Sequence, residues 1–185
     1  MSPSVFVALA DGYEEIEVVT PTNILRRAGL DVTTVGIAGR TVTGSRGIVL
    51  TTDRTWSDLA ATTPDVLVLP GGMPGSQNLG EHSGLRQMAQ RIAQTDGYLA
   101  AICAAPAFTL GTWGLLSGRS ATCYPGCEEQ FPADVTYCNE SVVVDGHIIT
   151  ACGPAVAMEF AFRLVELLQG TEVANRLRSQ MQYEK

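Results

Sequence analysis

Residues 99 to 106 read Leu99-Ala100-Ala101-Ile102-Cys103-Ala104-Ala105-Pro106, and the architecture of the chain follows from this stretch. The first four residues form an apolar run of strand length, and Pro106 is typical of the first turn of a helix. A cysteine therefore stands where a buried strand passes directly into a helix. The nucleophile elbow of hydrolases holds a reactive side chain out at a strand end in the same way.

Strand-like and helix-like patterns alternate along the rest of the chain. Apolar runs of strand length occupy residues 5–10, 32–37, 66–69, 98–102 and 142–149. Helical patterns occupy residues 21–28, 83–95, 106–116, 155–168 and 172–181. Several strand runs are apolar at successive positions, as in strands that are buried on both faces. The alternation predicts an α/β fold: a mostly parallel sheet with helices on both faces.

Two further segments have the pattern of hairpins. Residues 41–51 turn at Ser45-Arg46-Gly47, and residues 141–151 turn at Asp145-Gly146, a strong short-turn signal. We expect both hairpins at the sheet edge. Without an internal repeat or a linker, residues 1–185 are interpreted as one domain.

Charge and hydropathy limit the partners and the compartment that we expect. The net charge of -7 disfavours direct nucleic-acid binding. No run approaches the ~20 apolar residues of a membrane span, and the first apolar run has no basic flank, so we expect a cytoplasmic protein. The five cysteines are an odd number, so at least one thiol is expected to be free.

Three loops are expected to open onto one edge of the sheet, with Cys103 as the nucleophile. The helix amino terminus is expected to lower the pKa of its thiol. Gly71, Gly72 and Ala104 offer backbone N–H groups for an oxyanion hole. Glu17 follows the first strand, just before a helix that Thr20-Pro21 is expected to start. A buried Glu17 would stay protonated and shuttle a proton. Each residue also has a simpler interpretation: Cys103 as an inert core residue, Gly71 and Gly72 as a turn that only redirects the chain, and Glu17 as a solvated charge.

Other polar residues give weaker signals. His82 and His147 are interpreted as a surface and a strand residue, so a Cys-His pair is not indicated. Arg46, at the tip of the first hairpin, together with Arg26 and Arg27 offers cations for a substrate carboxylate or phosphate. Cys123 and Cys127 flank a turn-like Tyr-Pro-Gly and would suit a metal or a redox pair. We interpret them instead as small core residues and expect no metal.

Several motifs together carry a family resemblance. They are Gly12-Tyr13-Glu14-Glu15-Ile16-Glu17, Leu25-Arg26-Arg27-Ala28-Gly29, Ser45-Arg46-Gly47, Leu69-Pro70-Gly71-Gly72, Gly75-Ser76-Gln77-Asn78-Leu79, Ala100 to Pro106, Gly153-Pro154 and Glu159-Phe160-Ala161. Over nearly its whole length the chain resembles the ThiJ/PfpI superfamily, in particular the branch related to the parkinsonism-associated protein deglycase.

The resemblance implies a flavodoxin-like, commonly dimeric fold. Cys103 matches the reactive cysteine, Glu17 the protonated acid beside it, and Gly71, Gly72 and Ala104 the backbone donors. Family activities include glyoxalase-type conversion of methylglyoxal to lactate without glutathione, deglycation of early adducts, and redox-dependent protective or chaperone behaviour.

Two departures from the family pattern bear on mechanism. Tyr124 occupies the place of a histidine found in many relatives, which disfavours a cysteine peptidase. Cys152 replaces an arginine that often precedes Gly-Pro, which weakens anion binding near Arg46.

Two functions follow from the same thiol. The first is a cysteine-dependent glyoxalase or deglycase that acts on dicarbonyls or their adducts and needs no metal or organic cofactor. The second is an oxidative-stress sensor whose Cys103 oxidises to a sulfinic acid. A flavodoxin-like receiver domain fits poorly, because the first strand ends in Asp11-Gly12-Tyr13 instead of an acidic pair or a phosphate loop.

Overall fold

The computed structural model describes residues 2–183. Its strands are β1 (Ser4–Leu9), β2 (Asp31–Gly36), β3 (Thr41–Thr43), β4 (Val49–Thr51), β5 (Arg54–Thr55), β6 (Val66–Leu69), β7 (Tyr98–Ile102), β8 (Ser120–Ala121), β9 (Thr136–Tyr137), β10 (Val142–Asp145) and β11 (Ile148–Ala151). Seven of them form the central sheet in the order β10-β11-β7-β6-β1-β2-β5. Every neighbouring pair in this sheet is parallel except β10 and β11. The mostly parallel sheet predicted from the alternation is therefore present.

Helices cover both faces of this sheet. They are α1 (Glu15–Arg27), α2 (Trp56–Leu59), α3 (Gly75–Glu81), α4 (Ser83–Ala93), α5 (Ala157–Gln169) and α6 (Thr171–Gln180). Alternate residues of β1 enter two separate apolar cores: Val5 joins the core that includes α1, α5 and α6, and Phe6 joins the core that includes α3 and α4. Because side chains of a strand point to opposite faces in turn, a continuous apolar run lets one strand supply both cores.

The first helix begins earlier than the sequence predicted. It starts at Glu15 and contains Pro21, whereas the Thr20-Pro21 pair predicted a start at that point. The side chain of Glu14 caps it by accepting the N–H of Glu17 at 2.9 Å. Proline lacks the N–H that would bond the carbonyl four residues earlier, so the helix continues with one hydrogen bond fewer. This correction brings Glu17 into the first helical turn.

The two hairpins differ in their relation to the sheet. The hairpin of β10 and β11 forms one edge of it, as predicted. The hairpin of β3 and β4 instead makes a separate two-stranded sheet, so its expected place in the sheet edge is wrong. Its tip bonds to the loop after β1, where the N–H of Ser45 donates to the carbonyl of Tyr13 at 2.7 Å.

The helix expected at residues 106–116 is also different. Residues Pro106–Gly111 form a π-helix, and turns follow it. Two tertiary hydrogen bonds tie this part of the chain to α3: Thr109 donates its hydroxyl to the carbonyl of Ser76, and Trp113 donates its indole N–H to the carbonyl of Gly80, both at 2.8 Å. π-helical turns are rare and occur frequently at functional sites. Within residues 2–183, no helix has the length and apolar character to cross a membrane.

Candidate active site

Cys103 lies at the turn that follows β7, in the backbone conformation of a nucleophile elbow. Its φ is 64°, in the left-handed region that non-glycine residues rarely adopt. Its N–H donates to the carbonyl of Ala151, and its carbonyl accepts the N–H of Tyr124, both at 2.8 Å. Such a conformation costs about 1–3 kcal/mol and persists where surrounding contacts hold it. Here those contacts come from the neighbouring strand and from the segment that carries Tyr124.

Glu17 lies fully buried beside this thiol. Its Oε2 accepts the N–H of Gly71 at 2.8 Å, and its side chain is hydrogen-bonded to Cys103. Oε1 has no hydrogen-bond partner within residues 2–183. Burial is the largest effect on this group and raises the pKa of Glu17 to about 7, against the opposing hydrogen bonds from Gly71 and Cys103. The carboxyl is therefore protonated at and below neutral pH to a degree that an exposed Glu is not.

Gly71 fills the space between these two side chains. A Cβ at this position would lie 2.6 Å from Cys103 Cβ and 2.6 Å from Glu17 Oε2, so only glycine fits. The sequence placed the Gly71 N–H among the oxyanion donors, but in the structure it donates to Glu17. Gly71 therefore holds the acid, and the oxyanion hole loses one expected member.

The other two expected donors do face the thiol. The N–H groups of Gly72 and Ala104 both donate to the sulfur of Cys103. Gly72 has a φ of 87°, and a Cβ there would overlap the backbone of the loop after β1. The close approach of two loops thus aims these N–H groups at a developing negative charge.

The pKa of Cys103 corrects the expectation drawn from the helix terminus. Burial, and then the negative charge of Glu17 and the hydrogen bond to it, raise this pKa, whereas the N–H groups of Gly72 and Ala104 lower it. The contribution of the Glu17 charge is present only while that residue is ionised. The two groups therefore titrate as one coupled pair, in which each negative charge disfavours the other.

A pocket of about 360 Å³ opens in front of Cys103. Its lining residues come from six segments of the chain: Glu14, Ser45, Arg46, Gly72, Met73, Cys103, Ala104, Tyr124, Cys127 and Pro154. Arg46 and Tyr124 thus lie where the sequence expected a substrate to bind. Glu14, Met73 and Cys127 were missed, although the place of Glu14 in a loop already assigned to the site was a usable signal.

Arg26 and Arg27 do not join this pocket. They line a different one, of about 540 Å³, between α1 and the segment of β4. Arg26 forms a salt bridge with Asp53 at 2.6 Å, and Arg27 donates its Nε–H to Asn23 at 2.8 Å. Their expected role in binding a substrate at Cys103 is therefore wrong, because α1 carries them away from the thiol.

Both histidines are also distant from the chemistry. His82 caps α4 by accepting the N–H of Leu85 at 3.0 Å. His147 stacks on Tyr98, at the opposite end of β7 from Cys103. Within residues 2–183, both histidines therefore lie outside the pocket of Cys103.

The remaining cysteines near the pocket form a group around Cys123. This residue is fully buried, and its pKa is raised to about 12 by burial and then by the nearby Cys127, Glu128 and Cys152. In the part of the chain that the structure describes, no three His, Cys, Asp or Glu side chains are arranged to hold a metal ion.

Comparisons of the sequence and of the structure with known proteins all point to one family. The model of the DJ-1/PfpI family matches residues 3–167. Protein DJ-1 homolog B of Arabidopsis thaliana is 42% identical over 172 residues, which are 92% of this chain and 39% of that protein. Protein dj-1beta of Drosophila melanogaster is 40% identical over 174 residues, 93% of this chain and 92% of the relative. The chain thus spans less than half of the Arabidopsis relative and nearly all of the Drosophila one.

Two further proteins are informative. The glutathione-independent glyoxalase DJR-1.2 of Caenorhabditis elegans is 32% identical over 164 residues, 89% of this chain and 87% of that protein. Among solved structures, Toxoplasma gondii DJ-1 in its oxidized form superposes with a TM-score of 0.95 at 37% identity, and each chain is fully covered. The flavodoxin-like fold predicted from the sequence is confirmed by this likeness.

Proposed function

The chain belongs to the DJ-1/PfpI family, and we propose that it is a cysteine-dependent enzyme that converts methylglyoxal and related dicarbonyls to hydroxy acids without glutathione. The observation that carries the proposal is the pairing of a thiol and a buried, proton-holding carboxyl, Cys103 and Glu17, at the base of an open pocket. The name of the C. elegans relative supports the reaction class.

The first step forms a carbon–sulfur bond. We propose that the proton shared by the pair resides on Glu17 in the reactive state, because the N–H groups of Gly72 and Ala104 stabilise a negative sulfur. The thiolate adds to the aldehyde carbon, and the electrons of the C=O bond move to oxygen. Glu17 gives its proton to that oxygen, so a neutral hemithioacetal forms.

The second step moves a hydrogen between carbons. Glu17, now a carboxylate, removes the proton from the sulfur-bearing carbon and delivers it to the ketone oxygen, so an enediol forms. Glu17 then moves the proton of the hydroxyl on the sulfur-bearing carbon to the former ketone carbon, which gives a thioester of the hydroxy acid. Water then cleaves the carbon–sulfur bond, which releases lactate and restores the thiol; the sum is methylglyoxal plus water to lactate.

Two polar side chains line the mouth of the pocket. Arg46 offers a cation for the carboxylate product or for an anionic adduct, and Tyr124 offers a hydroxyl. Glycated adducts carry the same reactive carbon, so deglycation would use the same attack by Cys103. A pocket of about 360 Å³ is large enough for a three-carbon dicarbonyl.

The test is lactate formation from methylglyoxal by the purified protein. We expect the wild type to form lactate, Cys103→Ser to lose this activity, and Glu17→Gln to retain thiol alkylation but lose turnover. Cys138→Ser is the matched control, since this cysteine does not line the pocket. Absence of lactate from the wild type, or turnover by Cys103→Ser, would refute the proposal; a parallel assay on glycated amino acids separates deglycase from glyoxalase activity.

A second candidate function is an oxidative-stress sensor or protective chaperone that uses the same cysteine. It is favoured by the donors around the sulfur: Gly72, Ala104 and protonated Glu17 suit a sulfinate. The solved T. gondii relative is an oxidized form. Mild peroxide followed by mass spectrometry should place two oxygens on Cys103 before any other cysteine, and earlier oxidation of Cys127 or Cys138 would contradict this candidate.

We also propose that the chain forms a homodimer in the cytoplasm. Exposed apolar side chains on α1 and on the neighbouring hairpin form a surface suited to a second copy: Ile16, Val19, Ile48 and Val49. Sedimentation should give a dimer for the wild type and a monomer for Val19→Asp. A wild-type monomer would refute the homodimer, and an unaffected dimer in Val19→Asp would exclude this surface.

A further inference from the structure

The tip of the β3–β4 hairpin is bound to the loop and helix that follow β1. This hairpin tip, residues 44–48, carries Arg46 to the pocket of Cys103. In a hairpin of three-residue strands, few ladder hydrogen bonds are available to fix the tip. Two bonds lie within the tip itself, from the N–H of Gly44 to the carbonyl of Ile48 and from the N–H of Gly47 to the carbonyl of Gly44, and further contacts come from elsewhere in the chain.

Glu15 supplies three of the contacts that come from outside the hairpin. Its buried carboxyl accepts the N–H of Arg46 at 2.8 Å and the N–H of Ile48 at 3.3 Å through Oε1, and the hydroxyl of Ser45 lies 3.5 Å from Oε2. A Cβ on Gly44 would overlap this carboxyl, so the contact is as close as the backbone allows. Burial alone would raise the pKa of Glu15, but the N–H donors outweigh it and lower the pKa. The carboxyl of Glu15 therefore holds the hairpin tip as a charged hydrogen-bond acceptor.

Tyr13 holds the same tip from the other side. It is fully buried, and its hydroxyl donates to the carbonyl of Ile48 at 2.8 Å. Its own carbonyl accepts the N–H of Ser45 at 2.7 Å. The polar backbone groups on both sides of Arg46 are therefore paired with residues of the segment that leads into α1.

The guanidinium of Arg46 is left available. Within residues 2–183 it forms neither an ion pair nor a hydrogen bond, unlike Arg26, which is held by Asp53. Glu15 and Glu17 are two residues apart in the first turn of α1, one holding the hairpin and the other the thiol. One helical turn therefore sets the position of both the cation and the acid relative to Cys103.

We propose that Glu15 is a positioning residue that holds Arg46 at the mouth of the pocket, so that Cys103 reacts preferentially with electrophiles that carry a negative charge. This inference rests on the proposed role of Cys103 as a nucleophile but not on the identity of the dicarbonyl substrate. The substrate class it indicates is a carbonyl compound with a carboxylate or phosphate, such as an adduct of an amino acid.

The test compares two alkylating agents of similar size and opposite charge state, iodoacetate and iodoacetamide, at Cys103. Their rates are measured by mass spectrometry of the peptide that contains this residue, for the full-length protein. We expect Arg46→Gln to lower the iodoacetate-to-iodoacetamide rate ratio by about threefold, the effect of removing one nearby charge in a partly hydrated site. Glu15→Ala should lower the ratio by the same factor, and the double variant should lower it no further.

The sign of the change separates positioning from a simple charge effect. Removing the negative charge of Glu15 would by itself favour iodoacetate and raise the ratio, so a raised ratio in Glu15→Ala would overturn the proposal. Additive losses in the double variant would also overturn it, because Glu15 would then not act through Arg46. Glu15→Gln keeps an amide oxygen for the N–H of Arg46 and should retain most of the ratio.

Two controls keep the outcomes distinct. Tyr13→Phe removes the hydroxyl that donates to the carbonyl of Ile48 and should also lower the iodoacetate-to-iodoacetamide ratio. This variant tests the proposal even if Glu15→Ala folds poorly. The iodoacetamide rate of Cys103 reports on the nucleophile alone. A rate no faster than that of the exposed thiols of the denatured protein would refute the role of Cys103 as an activated nucleophile. An unchanged iodoacetate-to-iodoacetamide ratio in Arg46→Gln would refute only the present inference.

Discussion

The buried carboxyl of Glu17 should make the stability of the protein depend on pH. Its pKa is about 7 in the folded state, against an ordinary value of 4.5, and burial is the main cause. The folded state therefore holds a proton between these two values that the unfolded state has released. Stability from this group is fully present below about pH 4.5 and is lost as the pH rises through 7. Glu17→Gln removes the ionisation and with it this dependence.

The magnitude follows from the difference in pKa. One pKa unit corresponds to about 1.4 kcal/mol, so a shift from 4.5 to about 7 amounts to about 3 kcal/mol over the whole range. Between pH 5 and pH 8 the expected change is about 2.5 kcal/mol, because part of the titration of the unfolded chain lies below pH 5. This is a large share of the 5–15 kcal/mol typical of a domain.

Urea unfolding at a series of pH values measures this effect. Relative to Glu17→Gln, the wild type should lose about 2.5 kcal/mol of unfolding free energy from pH 5 to pH 8. Glu81→Gln, which changes an exposed carboxyl, is the control and should run parallel to the wild type. Parallel profiles of the wild type and Glu17→Gln would refute the assignment of a raised pKa to Glu17. A wild type that gains stability relative to Glu17→Gln over this range would contradict the sign.

Three other substitutions test the geometry around the thiol. Gly71→Ala should abolish lactate formation and cost at least about 2 kcal/mol in urea unfolding, because its Cβ would lie 2.6 Å from both Cys103 Cβ and Glu17 Oε2; a variant of wild-type stability would contradict this packing. Cys103→Gly should be about 1 kcal/mol more stable than Cys103→Ala, since glycine relieves the strain of a φ of 64°; the reverse order would argue against strain. Thr109→Val removes the hydroxyl that donates to the carbonyl of Ser76 at 2.8 Å and should cost about 1–3 kcal/mol by thermal or urea unfolding, whereas an unchanged midpoint would show that this bond does not hold the π-helix.

The sequence was sufficient for the core of the fold and for the position of the thiol. Strand β6 is buried throughout and β7 is buried from Leu99 to Ile102, and a run of successive apolar residues predicts that directly. The turn at Cys103 was equally visible, because a strand pattern ends one residue before it and Pro106 follows soon after. Local patterns were enough wherever burial and backbone geometry coincide.

Other features depend on contacts distant in sequence. Pro21 is a local signal for a helix start, yet packing of α1 against the core extends the helix through it. The N–H of Gly71 was assigned to a substrate oxyanion, but the distance to Glu17 that redirects it exists only in the folded chain. No motif could show that the short helix after Cys103 is a π-helix, since its geometry is set by bonds to α3.

The role of Glu15 shows the same limit at the site. In the sequence it was one of three acids in a loop, and the simplest interpretation of a single Glu is a solvated charge. Its burial and its bonds to Arg46 and Ile48 arise from the hairpin, whose tip is thirty residues further along the chain. Arg26, by contrast, matched a family motif but is held by Asp53 outside the pocket.

The most direct test of the account is a pH titration of the ultraviolet thiolate absorbance, taken as the difference between the wild type and Cys103→Ser. If the proton of the pair resides on Glu17 in the reactive state, the N–H groups of Gly72 and Ala104 outweigh the burial that raises the pKa of Cys103, and a thiolate of Cys103 should be present at neutral pH. A thiolate of Cys103 that appears only above the free-cysteine value of about 8.5 would contradict the account, because Glu17 would then hold the negative charge at neutral pH.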